Sequence, residues 1–174
     1  MSILVDSYSG SSHSALGIGT GQEVGQSFFC TNEITLEKCS LNINYGLGNG
    51  GVVAVKLYAH SGNYGDGVAT GQPLAISEGV TLSTLNKTDV LFYFSSDYKL
   101  QTNTPYVIAL AWVNAIGAVS VNYINDSPAH AGNFCFYNSG WSNDTGADIL
   151  FSVYGKSSSL SNISSLTNIS QLII

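Results

Sequence analysis

Aromatic and amide side chains lie close together in one short segment, Tyr137-Asn-Ser-Gly-Trp-Ser-Asn-Asp144. Aromatic rings stack on the apolar C–H faces of sugars, and amide or carboxylate groups beside them bond the sugar hydroxyls. The candidates for glycan binding are therefore Tyr137, Trp141, Asn143 and Asp144, together with Tyr64 in a glycine-rich stretch. The alternative is that Trp141 caps the end of the domain and seals its hydrophobic core.

Two acidic segments carry the oxygen ligands that calcium prefers. Asp66 lies in Asn63-Tyr-Gly-Asp-Gly67, and both Asp144 and Asp148 lie in Asn143-Asp-Thr-Gly-Ala-Asp148. Neither segment has the ligand density of an EF-hand loop. We therefore treat these aspartates as candidates for one structural calcium ion, with Asx-type turns as the alternative, and predict no required cofactor.

No motif for catalysis is present in the chain. Acyl transfer needs a nucleophile, a base and an orienting acid, and no serine lies in a Gly-x-Ser-x-Gly motif. The histidines, His13, His60 and His130, lie in stretches rich in Ser, Gly and Ala, which predicts that they are exposed. The few acidic residues form no local pair that would indicate a glycosidase. The sequence predicts a protein that is not an enzyme.

The charge distribution excludes several classes of partner. The 174-residue chain has a formal net charge of −6, and its five cations are all lysines that lie scattered along the sequence. Nucleic acids and anionic membrane surfaces are bound by clustered Lys and Arg, so neither partner is predicted. Charged residues make up only 9% of the chain, against a typical value of about 25%. Such a surface desolvates readily, which favours packing against neighbouring proteins or binding sugars.

The three cysteines indicate at least one free thiol, because their number is odd. Cys39 and Cys135 lie in alternating apolar runs, where a small buried thiol is the expected role. The N-terminal residues lack the basic start and apolar core of a signal peptide, and no apolar run is long enough to cross a bilayer. We expect synthesis in a cytoplasm.

Strand patterns follow one another from residue 24 to residue 155. Residues 36–45 alternate between apolar and polar side chains, which is the pattern of a half-buried strand. Residues 89–95 and 105–113 are nearly all apolar, as expected of central strands, whereas the glycines of 60–73 predict a long loop. No helical period is sustained. The chain is predicted to be all-β, an antiparallel β-sandwich for which a jelly roll fits best by length and strand number.

The two ends of the chain differ from this body. Residues 1–23 are rich in Ser and Gly and predict a flexible N-terminal arm, and residues 156–174 contain the repeat Ser-Leu-Ser-Asn-Ile-Ser, Ser-Leu-Thr-Asn-Ile-Ser. Apolar residues recur there at every third position: Leu160, Ile163, Leu166, Ile169 and Leu172. Such a segment cannot bury these side chains on itself, so we predict an assembly arm, and the period of three favours a trimer. A poor helix and a disordered tail are the alternatives.

The order of the strand sequences resembles a broad family of jelly-roll-like β-sandwich domains found in structural proteins of tailed phages and in some bacterial surface proteins. The resemblance covers roughly residues 24–155 and rests on strand-packing motifs: Gly25-Gln-Ser-Phe28, Val53-Ala-Val-Lys-Leu-Tyr-Ala59, Gln72-Pro-Leu-Ala-Ile-Ser77, Phe92-Tyr-Phe94, Leu100, Tyr106-Val-Ile-Ala-Leu110 and Asp148-Ile-Leu-Phe-Ser-Val-Tyr-Gly155. The family implies no catalytic set, and the repeated tail is not part of its pattern.

Together these features predict a structural virion protein of a tailed phage, most simply a capsid decoration or head-fibre protein. Its partners would be other virion proteins of the capsid or tail and further copies of itself, and its location would be the virion. The alternative is a carbohydrate-binding module of a phage tail or surface protein, with a surface glycan as its ligand and Trp141 as its platform.

Overall fold

The computed structural model describes residues 1–10, 14–47, 51–81, 88–114, 118–125 and 129–157. The five repeated apolar residues of the tail, Leu160, Ile163, Leu166, Ile169 and Leu172, lie outside this range. The described residues form fifteen strands and no helix: β1 (Ser2–Tyr8), β2 (Ser14–Ile18), β3 (Glu23–Cys30), β4 (Ile34–Leu47), β5 (Val52–Asn63), β6 (Asp66–Ile76), β7 (Val80–Thr81), β8 (Thr88–Tyr93), β9 (Lys99–Leu100), β10 (Thr104–Asn114), β11 (Ala118–Ile124), β12 (Phe134–Tyr137), β13 (Trp141–Asp144), β14 (Asp148–Ile149) and β15 (Phe151–Lys156).

The strands form two antiparallel sheets that pack face to face. The first sheet, sheet A, has the order β1-β15-β4-β11-β14. In addition, β8 and β9 pair with β4, and β2 pairs with β11. The second, sheet B, has the order β13-β12-β3-β10-β5-β6, with β7 beside β5. The predicted all-β class and the β-sandwich are confirmed, and the jelly roll stays a prediction. None of the described residues forms a helix that could span a membrane.

The main core lies between the sheets and follows the alternation seen in the sequence. On β4, Cys39, Leu41 and Ile43 point inward and are fully buried. Strand β10 is central, because it pairs with β3 on one side and β5 on the other. Both of its faces are buried, so its nearly continuous apolar sequence is explained. The three cysteines described are free and buried, as predicted for Cys39 and Cys135.

Strand β8 is an edge strand, and the prediction of a central strand at residues 89–95 was wrong. Among the described residues it pairs only with β4. Phe92 is buried in the core, whereas Leu91 and Tyr93 on the outer face are 41% and 45% exposed. Its apolar sequence therefore places apolar side chains on the outside of sheet A as well as inside it.

The N-terminal residues belong to the sandwich, so the prediction of a flexible arm over residues 1–23 was wrong. Strand β1 pairs with β15, and β2 pairs with β11. Val5 and Tyr8 pack against the main core, which explains why the segment is held in place. A register shift between Leu4 and Asp6 marks a bulge in β1 at Val5. Such a bulge re-aims the side chains that follow it.

The predicted loop at residues 60–73 is instead the tip of the β5–β6 hairpin, which curls over the outer face of sheet B. The buried side chain of Asn133 fixes this tip: its Nδ2 donates to the Gly67 carbonyl at 2.9 Å, and its Oδ1 accepts from the Ser27 hydroxyl at 2.9 Å. The glycines that indicated a loop serve the tight turn, where Gly62 and Gly65 both have positive φ. The hairpin thereby covers part of the outer face.

A second, smaller core forms under this hairpin. It consists of five buried residues with Trp141 packed against them: Tyr58, Ala69, Val107, Ala109 and Cys135. Small side chains on sheet B leave room for the hairpin to approach closely. A Cβ atom at Gly25 would lie 2.4 Å from the Ile108 carbonyl oxygen, so this position accepts only glycine without a backbone shift.

Candidate functional site

Two of the predicted glycan-binding residues are brought together on the outer face of sheet B. Tyr137 on β12 and Trp141 on β13 form a direct cross-strand pair, joined by a short turn at residues 138–140. Their ring centroids are 5.4 Å apart, at an interplanar angle of 60°. Both side chains are half-buried, so each keeps part of its surface in solvent. The pair forms a platform at the edge of the sheet, which we call the Trp141 platform.

Three further residues, which sequence reasoning missed, complete this surface. The ring of Tyr58 on β5 meets Trp141 edge-on, with centroids 5.3 Å apart. The Tyr58 hydroxyl donates to Oε2 of Glu23 at 2.9 Å, and Oε1 of the same carboxylate forms an ion pair with Lys56. Burial, together with the adjacent Glu23 carboxylate, raises the pKa of the Tyr58 hydroxyl. The hydroxyl therefore stays protonated and keeps its hydrogen bond to Glu23.

The remaining predicted glycan ligands do not join this platform. Asn143 shares its face but donates its amide to Asp66 Oδ1 at 2.9 Å. Asp144 lies on the opposite face of β13, beside a hollow of about 270 Å³ that Phe134 and Phe136 help to line. Tyr64 lies at the β5–β6 turn and packs against Phe29, with ring centroids 5.3 Å apart. The predicted set is therefore divided among three places.

Trp141 also serves the packing role that was its alternative interpretation. It lies against the second core, where its ring contacts that of Tyr58. Since the ring is half-buried, one part of it packs on the protein and the other part faces solvent. The two roles are thus compatible in this geometry.

A second cluster of titratable groups lies at the junction of the two sheets, and we call it the His130 cluster. The His130 side chain is only 8% exposed and His60 is half-buried, so the prediction of exposed histidines was wrong for both, whereas His13 lies outside the described residues. Its Nδ1 accepts from the backbone N–H of Gly132 at 3.0 Å, so the ring proton lies on Nε2. Nε2 then donates to Oδ1 of Asp6 at 3.1 Å. Asp6 Oδ2 accepts from the backbone N–H of Phe29 at 2.9 Å, which links sheet A to sheet B.

Asp148 is the most deeply buried member of the His130 cluster. Its side chain is fully buried, and its Oδ1 accepts from Gln26 Nε2 at 2.6 Å. Gln26 is itself oriented by the backbone N–H of Ile149, which donates to its Oε1 at 2.9 Å. Burial raises the pKa of Asp148 from 3.8 to about 6, and the hydrogen bond from Gln26 and the neighbouring His130 only partly oppose this rise.

The His130 cluster has a structural role. Both ring nitrogens of His130 are engaged, and no hydroxyl or thiol of the described residues bonds to the ring. A nucleophile held against a base is therefore not assembled in this part of the chain. The cluster joins β1, β3 and β14 through buried hydrogen bonds, and a shallow hollow of about 430 Å³ lies over Asp6, Tyr64 and His130.

The calcium candidates lie in different surroundings. Asp66 accepts from the Asn143 amide, and Asp144 Oδ1 accepts from the backbone N–H of Gly146 at 2.8 Å, which is the predicted Asx-type turn. Asp148 is buried against Gln26 and His130. Within the ranges that the structure describes, no group of three or more His, Cys, Asp or Glu side chains could hold a metal ion.

The last described strand, β15, contributes to a row of side chains on the outer face of sheet A, in which Leu4 and Tyr93 are exposed. Strand β15, which leads into the tail, pairs with both β1 and β4. Cross-strand pairing aligns Leu4, Tyr154, Lys38 and Tyr93 on the outer face. The Lys38 ammonium lies 5.6 Å from the Tyr93 ring and 5.4 Å from the Tyr154 ring, which places the charge between two aromatic faces.

Comparison with protein-family models and with curated protein sequences gives no match for this chain.

Proposed function

We propose that this chain is a structural virion protein of a tailed phage, a capsid decoration or head-fibre protein that acts by surface and tail contacts. The observation that carries the proposal is the repeated apolar tail, which follows β15 directly in the sequence and holds no charged side chain after Lys156. Burying five aliphatic side chains is worth roughly 1.5–3 kcal/mol each before the cost of ordering the segment. Several copies that bury their tails together would therefore associate firmly.

Two further features of the sandwich support assembly. The row of Leu4, Tyr154, Lys38 and Tyr93 offers apolar and aromatic area with a single charge, and Leu4 and Tyr93 are its exposed members. The low overall charge reduces the desolvation cost of bringing such faces together. The assignment to a phage virion rests on the family resemblance of residues 24–155, and the choice of a trimer rests on the period of three.

The assembly proposal predicts that Leu166→Asp with Ile169→Asp converts the oligomer to a monomer. Two charges in the buried interface would be left unpaired, and their desolvation outweighs the contacts that remain. Light scattering measures the mass, and thermal unfolding should show that the sandwich stays folded. The matched control is Asn162→Asp with Asn168→Asp, which adds the same charge at the polar positions of the tail and should retain the oligomer. Retained assembly in the Leu166/Ile169 variant would contradict the proposal.

The virion assignment has its own test. Phage particles are purified from a host that carries the gene, and the protein is measured in them by mass spectrometry. We expect a fixed number of copies per particle that withstands washing at high salt, because apolar contacts are not screened. Absence of the protein from the particles would refute its assignment to the virion but would leave the assembly proposal intact.

A second candidate function is binding of a surface glycan, which the Trp141 platform favours. Tyr137 and Trp141 offer aromatic surface for the C–H face of a sugar, and Glu23 and Lys56 lie beside them as charged hydrogen-bonding groups. Tyr58 joins the two parts, since it contacts both Trp141 and Glu23. This candidate is compatible with the first, because a virion protein displays its surface to the host.

Glycan binding predicts that Trp141→Ala lowers the affinity for the bound glycan at least tenfold, as measured on a glycan array and by calorimetry. The ring also packs on the second core, so we expect a loss of about 1–3 kcal/mol in the free energy of unfolding. Trp141→Phe keeps an aromatic surface and should retain most of the binding. Tyr93→Ala removes a half-exposed ring from sheet A and should leave binding unchanged. A folded Trp141→Ala protein that binds as the wild type does would exclude the platform.

A further inference from the structure

The main core opens to solvent at one end of the sandwich, between β1 and the β3–β4 connection. The opening is a groove of about 280 Å³ whose apolar lining comes from Ile3, Leu4, Val5, Cys30 and Ile34. Cys30 and Ile34 belong to the main core, and Val5 packs against it. The floor of the groove is therefore continuous with the hydrophobic core, and we call it the core groove.

The local strand pairing explains why this end stays open. Ile3 is paired with Gly155, which has no side chain to fill the space between them. The side chain of Ile34 lies over this glycine, and a Cβ atom there would approach it to 2.5 Å. Ile3 and Leu4 remain 42% and 53% exposed at the mouth of the groove. Apolar surface that continues a core is stabilised when another apolar group covers it.

The C-terminal tail begins at the rim of this groove. Ser157, the last described residue before the repeat, lines it. The first apolar residue of the tail is Leu160, three residues farther on, and three residues span up to about 10 Å. The tail carries no charged side chain after Lys156, so the entry of residues 159–164 into an apolar groove would bury no charged side chain.

From these observations we infer that the core groove is the docking site for the first tail repeat of the same chain, residues 159–164, with Leu160 inserted against Cys30 and Ile34. The same chain is the occupant because a short tether gives a high effective concentration, which a tail from another copy lacks. This inference rests on the proposed role of the tail in assembly. It assigns Leu160 to the chain's own sandwich and leaves Ile163, Leu166, Ile169 and Leu172 for the partner.

Thermal unfolding of full-length variants tests whether Leu160 is docked. The measurements are made in the Leu166→Asp/Ile169→Asp background, so that assembly does not contribute to the melting temperature. We expect Leu160→Ser to lower the melting temperature by about 4–8 °C, because an inserted leucine side chain is lost from an apolar site. The matched control, Leu172→Ser, should change it by less than about 1 °C. Equal melting temperatures for the two variants would overturn the inference.

A disulfide test decides whose groove the tail occupies. Leu160→Cys is oxidised in the full-length protein, and a disulfide between Cys30 and the introduced thiol is identified by peptide mapping. Such a bond forms only if the two Cα atoms come within about 7 Å. Mild alkali is used because burial raises the pKa of Cys30. Leu160→Cys with Cys30→Ser is the control, and Cys39 and Cys135 are buried elsewhere.

The expected product is a disulfide within one molecule, seen as a monomer on a non-reducing gel. A disulfide that joins two molecules would overturn docking in the same chain. The outcomes separate the two proposals. A wild-type monomer with the intramolecular disulfide would refute assembly by the tail but keep the groove, whereas an oligomer with no effect of Leu160→Ser would refute the groove alone.

Discussion

Replacing Asp148 by asparagine should raise the free energy of unfolding at pH 7 and remove a fall in stability that the wild type shows between about pH 4 and pH 6. The Asp148 side chain is fully buried, and burial raises its pKa from 3.8 to about 6. At pH 7 the folded protein must hold this carboxylate ionised in a fully buried position. Asparagine has the same shape and no charge, and it can still accept the hydrogen bond from Gln26.

The sign of the pH effect follows from proton binding. Between pH 3.8 and about 6 the folded state binds a proton at Asp148 that the unfolded state has released, so stability falls as the pH rises through this window. A shift of one pKa unit corresponds to 1.36 kcal/mol, which gives a change of up to about 3 kcal/mol for this residue. The advantage of the Asp148→Asn protein should therefore be greatest at pH 7 and disappear near pH 4.

Urea denaturation of both proteins at several pH values measures this difference. The comparison at each pH isolates the effect of residue 148, because all other residues are the same in both proteins. Asp97→Asn provides a control, since that side chain is exposed and its ion pair with Lys156 lies at the surface. This substitution should change the free energy of unfolding by less than about 0.5 kcal/mol. A wild type that gains stability over the Asp148→Asn protein as the pH rises from 4 to 7 would show that the buried carboxylate is stabilising, contrary to this account.

Replacing Asn133 by alanine should destabilise the protein by about 3 kcal/mol and release the tip of the β5–β6 hairpin. The side chain of Asn133 is fully buried and bonds both Gly67 and the Ser27 hydroxyl. Its removal leaves the Gly67 carbonyl and the Ser27 hydroxyl buried without these partners, and each unsatisfied group costs about 1–3 kcal/mol. Because the hairpin covers the second core, its release also removes part of the packing around Trp141.

Chemical denaturation gives the stability, and hydrogen exchange at residues 60–69 reports the hairpin. We expect exchange there to accelerate more than exchange in the central strand β10, because the lost bonds belong to the hairpin tip. Asn138→Ala is the matched control, as Asn138 is exposed in the β12–β13 turn and should change stability by less than about 0.5 kcal/mol. A loss below about 1 kcal/mol in Asn133→Ala would mean that the hairpin is held mainly by its apolar contacts.

Much of the sandwich could be predicted because its signals are local. The alternation of Cys39, Leu41 and Ile43 with polar neighbours is a two-residue period, and it marks the inner face of β4 without knowledge of its partners. The same holds for the continuous apolar run of β10. The pairing of Tyr137 with Trp141 could also be predicted from the sequence, because a short turn between two strands places the residues on either side of it opposite each other.

Predictions failed where long-range contacts outweigh local composition. The serine- and glycine-rich N-terminus was expected to be loose, yet β1 is held by β15, which lies almost at the other end of the described chain. The glycines of residues 60–73 were expected to form a loop, yet they allow a hairpin to turn and dock on Asn133. In both cases the backbone found hydrogen-bonding partners that no local pattern reveals.

The sequence by itself therefore determined the all-β class, the inner faces of the main strands, the buried thiols and the apolar repeat that follows the sandwich in the sequence. Only the tertiary structure decided which side chains meet at a site. Glu23, Lys56 and Tyr58 join Trp141 through the order of strands in sheet B, and Asp6 reaches His130 across 124 residues of sequence. The physical reason is that strand identity depends on neighbouring residues, whereas sheet order depends on pairings between distant ones.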